Sequence, residues 1–265
     1  NDSTRGPTLE VVLAQLKRIT QAQIVALSAT IKNADEIARW LQARLVVSEW
    51  RPVELKEGVL LGQIIKYKDG STTTLPLHYK NPFNNLITYI LNNKQQALVF
   101  CTTRNMAEST AKKLSRTVAK KITPEDVKAL QKAAENILRS GEVTKQAKEL
   151  AELVRKGISF HHAGLNTQQR RVIEETFKEG SIKILTCTPT LAAGVNLPAR
   201  YVIIKSIYRY DVTFGSRPIP VLEFKQQSGR AGRPQYDTRG DAIVIAKTDY
   251  EAEELFDRYI LADTE

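Results

Sequence analysis

The sequence holds two cysteines, one methionine and three histidines in 265 residues. Cys101 and Cys187 lie far apart, each inside an apolar stretch, which excludes a disulfide framework and predicts two buried thiols in an intracellular, cytoplasmic protein. His161-His162 are adjacent and the cysteines isolated, so the spacing of a metal site is missing and none is predicted. No apolar run approaches the ~20 residues of a membrane helix, which argues against a membrane partner. No Gly-x-x-x-x-Gly-Lys-[Ser/Thr] phosphate loop occurs, and no acid/base pair or metal cluster stands in for one, so a self-contained phosphate-ester enzyme is disfavoured. The chain opens Asn1-Asp2-Ser3-Thr4-Arg5, with neither an initiator Met nor a secretory leader, as an excised segment would. Acidic residues are the scarcer charge: 29 against 39 basic ones leave a net charge of +10. That excess points to a polyanionic partner, nucleic acid first. From Ala111 to Gly157 the count is twelve Lys/Arg against six Asp/Glu. This is either a set of solvated helix faces or the bank of a nucleic-acid path.

What is present reads as alternating strands and helices. Ile24 to Leu27 is a short apolar run with a polar tip at Ser28-Ala29-Thr30, which predicts a buried strand, and a helix follows from Asn33. After Arg51-Pro52, strands are expected over Val53–Leu61, Gly62–Tyr67 and Thr72–Leu77, with Asp69-Gly70 as a hairpin turn. Asn81-Pro82 starts a helix. Apolar runs at 97–101, 158–160, 182–185, 201–204 and 242–245 then alternate with helices, which implies a parallel sheet covered on both faces. Right-handed crossovers put the polar strand tips along one edge, where open α/β sheets bind ligands. Two segments break the alternation: a helical insertion over 118–156, with Thr123-Pro124-Glu125 as a helix start, and a projecting hairpin over 206–222.

The densest signal is Gln226-Gln-Ser-Gly-Arg-Ala-Gly-Arg-Pro234. If it begins a helix, Gln226, Arg230 and Arg233 share one face. Gly229 and Gly232 would keep the surface bare, and two guanidinium forks aimed at one spot suit a phosphate. The plainer alternative is a solvated, arginine-rich helix end.

Read in order, Leu27-Ser28-Ala29-Thr30, Leu98-Val99-Phe100 with Thr102-Thr103-Arg104, Phe160-His161-His162-Ala163-Gly164-Leu165, Thr188 to Pro198, and Gln226 to Pro234 resemble helicase motifs III, IV, IVa, V and VI. The set resembles the Ski2-like superfamily 2 helicases, and among them the archaeal Hjm-type DNA helicases. Arg5 to Glu10 resembles the stretch after that family's Walker B box, and Trp50-Arg51-Pro52-Val53 resembles the crossing between its two RecA-like domains. The resemblance implies an α/β, RecA-like parallel sheet with helices on both faces. It divides the chain into the end of a first motor domain (1–49), a whole second one (50–248) and a helix leading toward a further domain (249–265). The family's Asp-Glu-x-His box, like its phosphate loop, is absent, so the resemblance predicts a chain unable to hydrolyse ATP or unwind duplexes alone.

The resemblance also supplies roles. Arg230 and Arg233 would be arginine fingers for the γ-phosphoryl of ATP with Mg²⁺, the nucleotide being bound mainly by the first motor domain. Gln226 would bond near the same phosphate or to the motif V loop. Gly194 and Asn196 would sit in a loop whose backbone comes close to nucleotide or to motif VI, the alternative being an ordinary turn, and Gly229 would join them in binding the cofactor. Ser28, Ala29 and Thr30 would couple the domains, unless Thr30 is simply a helix cap. Thr103, Arg104, Gly164, Thr188 and one of the two histidines, His162, would grip a nucleic-acid backbone. Tyr208, Tyr210 or Phe214 on the hairpin would stack on bases at the point of strand separation, the alternative being packing on the core. The implied partners are single-stranded and branched DNA in repair and recombination, with 3′→5′ movement, and the first RecA-like domain. RNA stays open, because Ski2-like RNA helicases share Gly229 to Asp237. So does a non-motor nucleic-acid-binding module.

Overall fold

The structure is a computed structural model and describes residues 6–28, 33–48, 50–211 and 215–262. The chain divides into two compact units, 1–49 and 50–265. The first holds α1 (Gly6–Ile19) and α2 (Ala34–Leu41). Lys17 donates to the Leu41 carbonyl at 3.1 Å and so ties the end of one helix to the end of the other. The run Ile24–Leu27 is not a strand: Val25 and Leu27 are exposed and the segment is irregular. A parallel strand needs neighbours to satisfy its backbone, and no strand is described in this unit to provide them.

The second unit is built on an eight-stranded sheet in the order β3-β2-β1-β10-β7-β4-β6-β5. The strands are β1 (Glu54–Leu61), β2 (Ile64–Tyr67), β3 (Thr72–Thr74), β4 (Ala97–Phe100), β5 (Ile158–His161), β6 (Ile184–Cys187), β7 (Tyr201–Ile204) and β10 (Arg239–Ala246). From β1 through β5 every pairing is parallel; β2 and β3 extend the sheet antiparallel through the Asp69-Gly70 turn, where Gly70 has φ +80°. Strands β4, β5, β6 and β7 are buried along their whole length, as a sheet covered on both faces requires. The chain leaves β4 toward β5, returns to β6, then crosses to β7 on the other side of β4. That reversal makes the C-terminal end of β4 the switch point at which open α/β sheets leave a crevice.

The helices begin where their caps dictate. Thr103 accepts from the Met106 N–H at the start of α4 (Arg104–Ala119), and Ala107, Ala111, Leu114 and Val118 give it one buried stripe. Thr123 and Asp126 form a reciprocal capping box for α5 (Pro124–Arg139), and Thr144 caps α6 (Lys145–Arg155). These two helices are the insertion. Small residues such as Ala133, Ala134, Ala147 and Ala151 are buried on them, and Lys183, just before β6, bonds Asp126 at 2.8 Å. Asn166 and Gln169 box the start of α7 (Thr167–Lys178).

Strands β8 (Tyr208–Asp211) and β9 (Gly215–Pro218) form a separate antiparallel hairpin, after which α9 (Val221–Ser228) returns the chain to β10. Residues 249–262 pack back on this unit through α10 (Asp249–Leu255) and a π-helical turn (Phe256–Leu261). Fully buried Tyr259 donates its hydroxyl to the Ile219 carbonyl at 2.6 Å, with its ring 4.8 Å from that of Phe224.

Candidate nucleotide and nucleic-acid interface

The Gln226–Pro234 stretch ends a helix instead of beginning one. Only Gln226 to Ser228 are helical, Gly229 caps α9, and Ala231 pairs with Ala199 in a short parallel bridge. The predicted common face for Gln226, Arg230 and Arg233 is therefore not formed. The glycines explain the break. Gly232 has φ +89°, and a Cβ there would lie 2.5 Å from Val53 Cγ1. Gly240 faces the same turn, where a Cβ would meet Ala231 and Gly232 backbone at 2.3 Å. Gly232 thus serves a left-handed turn packed tightly on the sheet and does not clear space for a ligand.

The two arginines leave this turn into different surroundings. Arg230 donates from Nη1 to Asn196 Oδ1 at 3.2 Å and from Nη2 to the Ala192 carbonyl. Both acceptors are neutral, the side chain is half-buried, and burial pulls its pKa below the ordinary value. Arg233 instead grips Asp237 in a fork, Nε to Oδ2 at 2.8 Å and Nη2 to Oδ1 at 2.9 Å, while Nη1 reaches Gln96 Oε1 at 2.9 Å. The hydrogen bond to Asp237 raises the Arg233 pKa against the opposing effect of burial. Asp237 answers in kind: burial pushes its carboxyl up, but the Arg233 bonds outweigh that and hold it below the usual carboxylate range. Of five N–H groups on each guanidinium, Arg230 commits two and Arg233 three.

Asn196 stands beside motif VI, as Arg230's partner, and Gln226 is exposed on α9. Gly229 is exposed at the helix end, and Gly194 closes the short helix α8 (Thr190–Gly194). Gln96, Ala199 and Asp237 each stand just before β4, β7 and β10, so the arginine turn lies at the N-terminal edge of the sheet.

The predicted nucleic-acid contacts lie at the opposite edge, after β4, β5 and β6. Exposed Thr103 and Arg104 start α4 at the switch point, and Arg104 Nη1 would come within 3.5 Å of a Cβ on Gly164, so those two residues are neighbours. Two of these expected contacts, His162 and Thr188, are buried. His162 is buried at 1 % exposure, its Nε2 3.0 Å from Glu108 and its ring stacked on Phe160. Its Nδ1 accepts the Gly164 N–H at 3.1 Å, which places the proton on Nε2 and occupies the Gly164 amide. Thr188 is also buried, with its hydroxyl paired to Thr190 at 2.8 Å. Burial holds the His162 pKa below its ordinary value against the pull of Glu108. The His162 and Thr188 side chains build the strand tips and do not present themselves to solvent; Gly164 is exposed, with its amide taken by His162. Arg104 does present itself to solvent.

On the hairpin, Tyr208 is partly exposed and Tyr210 is 74 % exposed, which sets Tyr210 apart from the core. Ser28 is exposed in the first unit; Ala29, Thr30 and Phe214 lie outside the described residues. Among the described residues no group of three or more His, Cys, Asp or Glu could hold a metal ion, and no helix is long and apolar enough to cross a membrane.

Sequence reasoning missed Asp237, Gln96 and Glu108 as partners. Asp237 had a visible signal, an acid four residues after Arg233; Gln96 and Glu108 meet their partners only through the fold.

Residues 139–235 match the helicase conserved C-terminal domain. Over 98 % of its length the chain is 49 % identical to the ATP-dependent DNA helicase Hel308 of Methanocella arvoryzae, of which it covers 35 %. It is 41 % identical over its whole length to the protein of the same name from Pyrobaculum calidifontis, covering 37 % of it, and 40 % identical over 97 % to that of Pyrococcus horikoshii, covering 34 %. The chain thus spans about a third of the length of these curated relatives. Residues 139–235 thus carry a match to the helicase conserved C-terminal domain, and nearly the whole chain is similar to one part of the Hel308 ATP-dependent DNA helicases.

Proposed function

We propose that the chain is the second motor domain of an ATP-dependent DNA helicase. It lends cationic groups to an ATP site whose phosphate loop and Mg²⁺ ligands lie on the first motor domain. The observation that carries this reading is the state of Arg230: a half-buried guanidinium bonded, among the described residues, only to neutral oxygens, on a turn pinned against motif V. A cation partly stripped of water without a counter-charge favours an incoming anion, and its unused N–H groups fit phosphate oxygens. Arg233 joins it with its remaining N–H groups, its direction fixed by Asp237. Gln226 and Gly229 flank the approach, and Gly194 and Asn196 hold the motif V side.

When ATP joins the two domains the cleft closes, and after hydrolysis it opens. Each domain grips single-stranded DNA with different strength in the two states, and that difference is what lets nucleotide drive motion. Thr103 and Arg104 grip backbone at the opposite edge without reading sequence, and the hairpin tyrosines part the first base pairs. Movement is 3′→5′, the substrates are single-stranded and branched DNA in repair and recombination, and Ser28 to Thr30 couple the domains. Alone, the chain hydrolyses no ATP.

The test is Arg230→Ala and Arg233→Ala in the full-length protein. Each is expected to lower DNA-stimulated ATP turnover strongly, toward the ~10³–10⁵-fold worth of an arginine finger, while single-strand affinity stays close to wild type. Equal loss of both activities refutes the assignment, as does Mg²⁺-dependent ATP turnover by the pure 265-residue chain.

A further inference from the structure

Arg51 stands just inside the second unit, two residues past its boundary with the first. Its Nε donates to the Val53 carbonyl at 2.9 Å, and its Nη2 donates to the carbonyls of Gly229 at 3.2 Å and Ala231 at 2.8 Å. Those two carbonyls flank Arg230. On the other side of the same segment, the Arg230 carbonyl accepts from Ala199 N at 3.0 Å, and Gly232 N donates to the Ala199 carbonyl at 2.7 Å. Gly229 and Arg230 lie in the turn that ends α9, and main-chain carbonyls of a turn take their donors from elsewhere. Ala199 supplies one, to Arg230. The Arg51 guanidinium supplies the others, to Gly229 and Ala231.

We propose that Arg51 is a positioning residue for motif VI: it clamps the Gly229–Ala231 backbone so that Arg230 is presented beside Asn196 in one fixed pose. The inference rests on the phosphate role proposed for Arg230. Arg51 touches no reacting atom; its acceptors are all main-chain carbonyls. Burial lowers its pKa, partly offset by Glu57, so the clamp is made by a partly desolvated cation whose bonds to carbonyl dipoles are correspondingly firm. The Val53 side chain, next to the Val53 carbonyl that Arg51 holds, packs against Gly232, so the chain at 51–53 and the arginine turn form one contiguous piece. Lysine replaces this residue only in part: Nη2 holds the Gly229 and Ala231 carbonyls and Nε holds that of Val53, and a single ammonium lacks the planar fork that serves both places.

The test uses the full-length protein at saturating single-stranded DNA, with kcat and KM for ATP measured separately. Arg51→Ala is expected to lower kcat about 10- to 100-fold, the scale of a catalytic group displaced by ~1 Å, with KM for ATP and DNA affinity close to wild type. The Arg51→Ala/Arg230→Ala double variant is expected to be no slower than Arg230→Ala alone, because a residue that acts through another adds nothing once that other is gone. Arg51→Lys, which keeps charge and length, is expected to fall between wild type and Arg51→Ala, and it carries the test if the alanine variant does not fold. Faster hydrogen exchange at the Gly232 amide in Arg51→Ala is the matching structural readout. A wild-type kcat in both Arg51 variants overturns the inference, and so does a double variant slowed by the product of the two single effects. If Arg230→Ala itself turns over ATP normally, the parent reading fails and takes this one with it; if Arg230→Ala is crippled and the Arg51 variants are not, only this one fails.

Discussion

Replacing Asp237 with asparagine separates charge from shape at the arginine turn. The carboxylate accepts three N–H groups of Arg233: the backbone amide at 2.9 Å, Nε at 2.8 Å and Nη2 at 2.9 Å. Asparagine keeps one acceptor oxygen and turns an NH₂ group toward a guanidinium that only donates, so at least one charge-assisted bond is lost. Such bonds contribute roughly 1.5–3 kcal/mol each when shielded, against ~0–1 kcal/mol for exposed pairs. The Asp237 side chain is 6 % exposed and that of Arg233 26 %, which places the pair nearer the shielded case. The expected cost of Asp237→Asn at pH 7 is therefore about 2 kcal/mol, read as a lower urea midpoint with unchanged slope. The pH dependence follows from the sign of the shift. The folded-state carboxyl lies below its ordinary value, so its contribution is complete above the unfolded pKa of about 3.9. It is lost as pH falls through the folded value. The gap between wild type and variant should thus be full at pH 7 and shrink as acid is added below about pH 4. A gap under about 0.5 kcal/mol at neutral pH, or one that does not shrink in acid, refutes the account of Arg233 as a guanidinium held by charge.

Gly240→Ala would set a Cβ 2.3 Å from the backbone of Ala231 and Gly232; neither can move without leaving Ala199, so a loss of about 1–3 kcal/mol is expected for overpacking in thermal or urea unfolding. Arg104→Ala in the full-length protein should weaken single-stranded DNA binding and lower the slope of log K against log salt by about 0.7, the value of one phosphate contact on a single strand. An unchanged slope would remove Arg104 from the path.

The sheet was legible because its strands are buried on both faces, so each is a continuous apolar run bounded by polar tips, as at Ala97–Phe100 and Tyr201–Ile204. The helix starts at Asn81 and Thr123 were legible because caps are local: both side chains accept the bond their position predicts. Two kinds of feature were not. Ile24–Leu27 has the pattern of a strand, but a strand is completed by neighbours that its own residues do not specify. The arginine stretch looked like a helix start because arginine and glycine spacing says nothing of a left-handed φ at Gly232 or of Ala199 waiting beside it. At the other edge, His162, Gly164 and Thr188 were correctly placed at strand tips, yet which tip group faces water depends on Glu108 and Thr190, and that is decided by packing.

Arg230 and Arg233 are the same residue type three positions apart, yet the fold assigns them opposite electrostatics. Asp237 neutralises Arg233 and fixes its direction, whereas Arg230 keeps its charge, softened only by the dipoles of Ala192 and Asn196. In the phosphate role proposed for the pair, attraction rests chiefly on Arg230 and geometric precision on Arg233. The segment from Thr188 to Ala199 gives this division a mechanical side. It begins at the C-terminal edge of the sheet, where Thr188 N bonds the His161 carbonyl at 3.2 Å, and ends at the N-terminal edge, where Ala199 holds the arginine turn. On the way it supplies both acceptors of Arg230. If the two edges carry nucleic acid and nucleotide as proposed, a strand pulled at one edge and a phosphate lost at the other act on the two ends of a single hydrogen-bonded piece of chain. Motif V is then a strut between the two sites, braced at its start by the hydrogen bond between the buried Thr188 and exposed Thr190 hydroxyls.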